Sequence, residues 1–122
     1  MSDVPMISTL ESFLQLTTAR QRLVSTNMAN VDTPGYHARD INFQQELNRA
    51  GQISTTDGGV TAAQLSPVVQ EQQGLLERPD GNNVDMDREA LLMAETQLQY
   101  QMGVQLIKDE FHQILSAING GN

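Results

Sequence analysis

The residue types that carry chemistry are few in this chain, and their spacing does not gather them. His37 and His112 lie in different halves of the sequence. Neither has a partner at a metal-helix spacing such as H-E-x-x-H. They read as surface or capping histidines, and His112, late in a helical pattern, suits the negative end of a helix dipole. Asp85, Asp87 and Glu89 offer carboxylates. A calcium loop, however, needs its ligands over twelve residues with a central Gly and a final Glu, and the run 80–87 has the wrong order. Capping of a following helix explains these acids more simply. Ser25 and Ser54 lack a G-x-S-x-G context. Gly58-Gly59 lacks the Lys-Ser/Thr of a phosphate loop. These residues predict no enzyme, no metal site and no cofactor.

Composition narrows the class further. The chain has 122 residues, enough for one domain, with 4% aromatics and no cysteine. Disulfides and thiolate metal sites are therefore excluded. Net charge is −8, concentrated in the middle and the C-terminal third. That argues against nucleic acid, which requires clustered Lys and Arg, and against anionic membrane surfaces. No run approaches the ~20 apolar residues of a membrane span, so direct membrane insertion is not expected. The first residues show no basic-then-apolar pattern of a cleaved secretory signal.

The densest local signal is Asn27-Met28-Ala29-Asn30-Val31-Asp32-Thr33-Pro34-Gly35-Tyr36. Asn30 suits the left-handed conformation that ends many helices. Asp32 suits an Asx turn, and Pro34-Gly35 fits the centre of a type II turn. Tyr36 brings an apolar ring with a polar tip. So much turn chemistry in ten residues predicts a fixed corner.

That corner joins elements with strong periodicity. Residues 6–31 predict a helix, with Ile7, Leu10, Leu14, Val24, Met28 and Val31 on one 3-4 spaced seam that Thr17 and Gln21 interrupt. Phe13, Leu16 and Leu23 form a second line. Ser8 and Thr9, preceded by Pro5, are the expected caps. Asn42 with Gln45 predicts the cap of a short helix over about 43–49, which Gly51 should stop. Residues 51–84, dense in Gly and Pro, predict little helix. The runs 68–71 and 75–77 there are candidate strands of a hairpin. Residues 85–119 predict a long helix capped by Asp85 and stopped by Gly120-Gly121. Tyr100, Val104, Ile107, Phe111, Ile114 and Ile118 make one apolar stripe on it; Leu91, Leu98, Met102 and Leu106 make another. The expected fold is mainly α, with long N- and C-terminal helices paired in a coiled-coil-like way around an irregular, partly extended middle. The stripes fit either the core of a helical hairpin or subunit contacts, with Met28, Met93 and Met102 on the surplus faces.

The order of these signals resembles the bacterial flagellar basal body rod protein family, axial proteins whose N-terminal helix ends in Asn-x-Ala-Asn-x-x-Thr-x-Gly-Tyr. Here the matching residues are Asn27, Ala29, Asn30, Thr33, Gly35 and Tyr36, with Pro34 inside the motif. A long helix at the C-terminal end is the second hallmark. The run Gly81-Asn82-Asn83-Val84-Asp85-Met86-Asp87-Arg88-Glu89 and Tyr100-Gln101 resemble the proximal members in particular. The resemblance covers 7–49 and 80–119.

The resemblance implies a single rod-type domain over 1–122 and a structural role in the proximal rod, where terminal helices assemble helically into a drive shaft. Ile7, Leu10, Leu14, Val24, Met28, Leu98, Met102, Leu106, Ile107, Phe111 and Ile114 would be the assembly faces. Asn27 and Asn30 would satisfy backbone groups at the helix end, and Tyr36 would dock on a neighbouring helix. Implied partners are the same subunit, other rod subunits, the adaptor to the membrane ring, that ring, and the flagellar type III export apparatus. The implied location is the periplasmic rod, reached without a cleaved signal. The competing reading is a cytoplasmic helical adaptor or coiled-coil scaffold.

Overall fold

In chain order the elements are α1 (Asp3–Ala29), β1 (Arg39–Asp40), α2 (Phe43–Thr56), β2 (Gln70–Glu71) and α3 (Met86–Gly120). The computed structural model describes residues 3–56 and 66–120, and side chains over 6–52 and 66–120. Gly58-Gly59 and the side chain of Ser54 therefore lie outside the description.

α1 is the central element. Leu14 meets Gly103 and Gln21 meets Met93, so α1 and α3 run antiparallel. The seam predicted on α1 faces α3: Thr17 and Val24 are buried, while Ile7, Leu10, Leu14, Gln21 and Met28 are half-buried. The second line faces α2. Leu16, Ile41 and Ala50 form a small core there, with Leu23, Phe43 and Leu47 packed on it. Phe13 and Phe43 add an edge-to-face ring pair, 5.5 Å between centroids. Such pairs contribute beyond their area alone. Among the described residues α2 and α3 do not touch; α1 separates them.

Several boundaries differ from the sequence reading. α1 begins at Asp3 and ends at Ala29, so Ser8 and Thr9 lie inside it and cap nothing. α2 runs past Gly51 to Thr56 instead of stopping there. A mid-helix glycine costs only about 1 kcal/mol, and burial of Ala50 beside Leu47 and Phe43 outweighs that. The expected hairpin does not form. Gln70–Glu71 pairs antiparallel with β1, Arg39 opposite Glu71 and Asp40 opposite Gln70. Leu76 is 92% exposed and Leu75–Glu77 joins no strand. The exit from the corner already presents free backbone groups, and Gln72 N–H takes one of them, Ala38 O, at 2.8 Å.

The caps of α2 and α3 do follow the sequence. Asn42 Oδ1 accepts from Gln45 N–H at 3.1 Å. Asp85 Oδ1 accepts from the N–H groups of Asp87 (3.0 Å) and Arg88 (3.3 Å). Each satisfies donors that the first helical turn leaves open.

Candidate functional site

α1 leaves its last turn through tight backbone bonds. Asn30 N–H donates to both Thr26 O and Asn27 O, each at 3.1 Å, and Val31 N–H donates to Met28 O at 3.3 Å. Asn30 is not left-handed, because positive φ occurs only at Gly35, Gly74 and Gly81 among the described residues. The helix end tightens into three-residue turns instead. The Asn30 side chain then supplies what the left-handed form would have: Nδ2 donates to Thr26 O at 2.8 Å. Its Oδ1 accepts from Thr33 Oγ1 at 2.9 Å. Pro34-Gly35 forms the expected turn, with Gly35 at φ 75° and Tyr36 N–H bonded to Thr33 O at 3.2 Å. Ala29, Thr33 and Pro34 are exposed.

The segment before α3 clasps this corner. Arg78–Gly81 is a second tight turn, Gly81 at φ 86°. The two glycine turns nearly touch: a Cβ on Gly81 would sit 3.2 Å from Gly35 Cα. Gly35 N–H donates to Asp80 O at 2.8 Å. Asn82 is fully buried. Its Nδ2 donates to Asn30 O (2.9 Å) and Thr33 O (2.8 Å), and its Oδ1 accepts from Val84 N–H (2.8 Å). Asn83 Oδ1 accepts from Ala38 N–H at 2.7 Å, while Asn83 N–H donates to Tyr36 O at 3.2 Å. Arg78 reaches across to Val31 O.

Beneath the clasp lies a buried polar hub. Asn27 uses its whole hydrogen-bonding capacity. Nδ2 donates to Arg39 O (2.9 Å) and Glu89 Oε1 (3.2 Å); Oδ1 accepts from Arg39 N–H (3.0 Å) and the Tyr36 hydroxyl (3.1 Å). Asn27 thus serves the exit strand, not the helix end. Tyr36 docks on its own chain's α1 through that hydroxyl. Burial pushes the Tyr36 hydroxyl's pKa up; Arg39 opposes this and Glu89 adds to it.

Glu89, fully buried in the first turn of α3, also accepts from Arg88 Nη1 at 3.1 Å. Burial raises its carboxyl above the ordinary range, against the hydrogen bond from Asn27 and the charge of Arg88. Asp40 holds Arg20 in a two-pronged pair, at 3.1 and 3.0 Å, and meets Arg88 at 3.4 Å. Two buried carboxyl groups and two half-buried guanidiniums therefore meet in one cluster, with Glu89 Oε2 left without a hydrogen-bond partner. The cluster ties α1, β1 and α3 together.

The hub corrects one reading and adds what it lacked. Glu89 is a buried tie, not a dipole-compensating surface acid; only Asp85 caps. Asn82, Asn83, Asp40, Arg20 and Arg88 escaped the sequence reading as hydrogen-bonding partners. The signal for Glu89 was its spacing: Glu89, Leu92, Thr96 and Gly103 are the buried residues of α3 and lie on one 3-4 seam. That seam is polar or small at most positions, so it does not look like a core.

The apolar stripes of α3 flank the seam. Val104, Ile107 and Ile114 are half-buried. Leu91, Leu98, Tyr100, Met102, Leu106, Phe111 and Ile118 are exposed, Leu98 by 60% and Leu106 by 49%. Met93 is spent inside, where its sulfur accepts from Gln21 Nε2 at 3.5 Å. Ser25 is exposed on α1. No group of residues able to hold a metal ion occurs among the described residues. No described helix is long and apolar enough to cross a membrane.

No family model matches the chain. Curated proteins do. It is 36% identical over 123 residues to the flagellar basal body rod protein FlgB of Salmonella typhimurium, covering 89% of each chain. The match to FlgB of Escherichia coli has the same identity and coverage. FlgB of Bacillus subtilis is 32% identical over 123 residues, covering 94% of each. The chain belongs to the FlgB family of flagellar basal body rod proteins. It is a structural subunit of that rod, and the adaptor reading finds no support. Of the motif residues singled out in the sequence, the clasp of 78–83 and the hub bond Asn27, Asn30, Thr33, Gly35 and Tyr36.

Proposed function

We propose that this subunit builds the proximal rod by helical stacking of its paired terminal helices, as one rod-type domain over the whole chain. The observation that carries this is the exposed apolar residues of α3, Leu98, Met102 and Leu106 on one stripe and Phe111 on the other, which α1 leaves uncovered. Each such side chain gains about 1.5–3 kcal/mol when fully buried, so neighbours in a shaft are the natural cover. Contacts of this head-to-tail kind do not close and instead grow a filament. Ile107 and Ile114, half-buried, would extend the stripe of Phe111. Ile7, Leu10, Leu14, Val24 and Met28 would brace it from beneath.

The corner motif, Asn27 through Tyr36, would set the angle between stacked helices and the rest of the subunit. A torque-bearing shaft needs such an angle fixed, and a densely bonded hub supplies stiffness. The subunit acts without catalysis, metal or cofactor. Its partners are itself and other rod subunits, with the adaptor and membrane ring at its base. It reaches the periplasm through the type III export apparatus. The test is Leu98→Glu with Leu106→Glu in a strain lacking the native subunit. The expected outcome is normal expression, no incorporation into purified basal bodies and no swimming. Intact rods and normal motility would overturn the proposal.

A further inference from the structure

His37 follows Tyr36 on the way into β1, and both of its ring nitrogens face carboxylates. Nδ1 lies 3.3 Å from Glu71 Oε2, and Nε2 lies 3.5 Å from Glu77 Oε1. A carboxylate only accepts, and a neutral imidazole carries a single N–H. With a neutral ring, one of the two contacts would set a lone pair against a carboxylate. An imidazolium donates to both. The two acids approach opposite ring nitrogens, so they share no point at which a metal ion would sit, and no metal-holding group is found among the described residues.

The acids belong to a segment with few other ties to β1. The ladder there is two residues long, supplemented by Gln72 N–H to Ala38 O. We propose that His37 is a proton-operated clasp: its imidazolium bridges Glu71 and Glu77 and holds the 71–77 segment against the exit strand, and deprotonation releases it.

The charged groups facing the ring are Glu71 and Glu77; α1 and α3 send none. Arg39 stands opposite Glu71 in the ladder. The hydrogen bond to Glu71 is the main cause that raises the His37 pKa, with Glu77 adding and desolvation opposing. A raised value in the folded state means the clasp is fully engaged below about pH 6.5, the ordinary histidine value. It is lost as pH rises through the folded-state value.

The test is an NMR titration of the full chain, with amide exchange measured over the same range and corrected for intrinsic rates. The His37 midpoint should lie above about 6.5, and Glu71→Gln with Glu77→Gln should return it to about that value. Protection of the Gln72 amide, relative to that of Asn83, should fall as pH crosses the midpoint. In His37→Gln that fall should vanish, with the helical circular dichroism unchanged. A wild-type midpoint at or below about 6.5, or one that the double substitution leaves in place, would overturn the proposal. So would Gln72 protection that ignores pH.

Discussion

The two ends of α3 solve opposite problems. Its first turn is polar and answered within the chain at all but one atom: Glu89 and Arg88 bond with Asn27 and Asp40, and Glu89 Oε2 alone there is buried without a hydrogen-bond partner. Beyond that turn its outward residues are apolar and unanswered, with Leu98, Met102, Leu106 and Phe111 exposed. The same helix is thus finished at one end and open at the other. Buried polar groups are costly without partners, so the corner makes its hydrogen bonds within each subunit. Apolar surface is non-directional and can wait for a neighbour. The monomer fixes its geometry with hydrogen bonds and leaves its association to hydrophobic area.

The largest test of this contrast is Asn27→Ala. It removes all partners that Asn27 supplies to Arg39, Tyr36 and Glu89 at once. Loss of bonds to a buried charged network should cost about 3 kcal/mol or more, read as a lower urea midpoint. Asn82→Ala comes next. It leaves the buried Val84 N–H without its acceptor, removes one of the two donors to each of Asn30 O and Thr33 O, and should cost about 1–3 kcal/mol. If the corner were merely a loop, both substitutions would leave the midpoint nearly unchanged.

Gly103 tests the seam between the two ends. A Cβ there would lie 2.6 Å from Leu14 Cδ2 and 3.1 Å from Phe13 Cδ1. Overpacking of this kind costs about 1–3 kcal/mol, offset by about 1 kcal/mol of helix propensity gained over glycine. Gly103→Ala should therefore destabilise by about 1 kcal/mol. Leu14→Ala in the same chain should cancel most of the overpacking part, since the clash is with that side chain. Additive effects in the double variant would mean the helices do not meet where this contact places them.

How legible this was differs between the ends. The helices, their caps at Asn42 and Asp85, and the Pro34-Gly35 turn follow from local rules, so the residues announce them. The extension of α2 past Gly51 does not, because packing on α1 overrode a local stop signal. The strand pairing was missed because Gln70–Glu71 found its partner some thirty residues back, at Arg39–Asp40, rather than across the adjacent Gly74. The hub was hidden for a different reason. Periodicity highlights large apolar residues, whereas the buried line of α3 runs through Glu89, Leu92, Thr96 and Gly103. The residues that stood out, Leu98, Met102 and Leu106, point outward. Asn27 was visible as a motif residue, but its partner Glu89 is 62 positions away, and no local pattern connects them.

Glu89 sharpens the contrast through pH. Its carboxyl is raised above the ordinary value by burial, so the folded state holds the proton more tightly than the unfolded chain. The stabilising part of that linkage is present below the ordinary glutamate value of about 4.3 and fades as pH rises through the folded-state value. Glu89→Gln mimics the protonated form. Relative to wild type, the variant should gain stability as pH is raised from about 4 to 7, measured as the difference in urea midpoints. A difference that shrinks over that range would show that Arg88 and Asn27 favour the charged form after all.

The smallest effect on stability belongs to the open end, and it separates the two regions most cleanly. Leu98→Glu with Leu106→Glu changes side chains that touch solvent in the isolated subunit. Exposed substitutions of this kind usually move stability by less than about 0.5 kcal/mol, and the carboxylates add like charge to an already acidic chain. The monomer's urea midpoint should stay within that margin, while the same pair abolishes entry into the rod. A large loss of monomer stability would mean that this face is already packed within the subunit. The Leu98–Leu106 stripe of α3 would then be part of the core, and the division between the corner and a waiting helix face would fail.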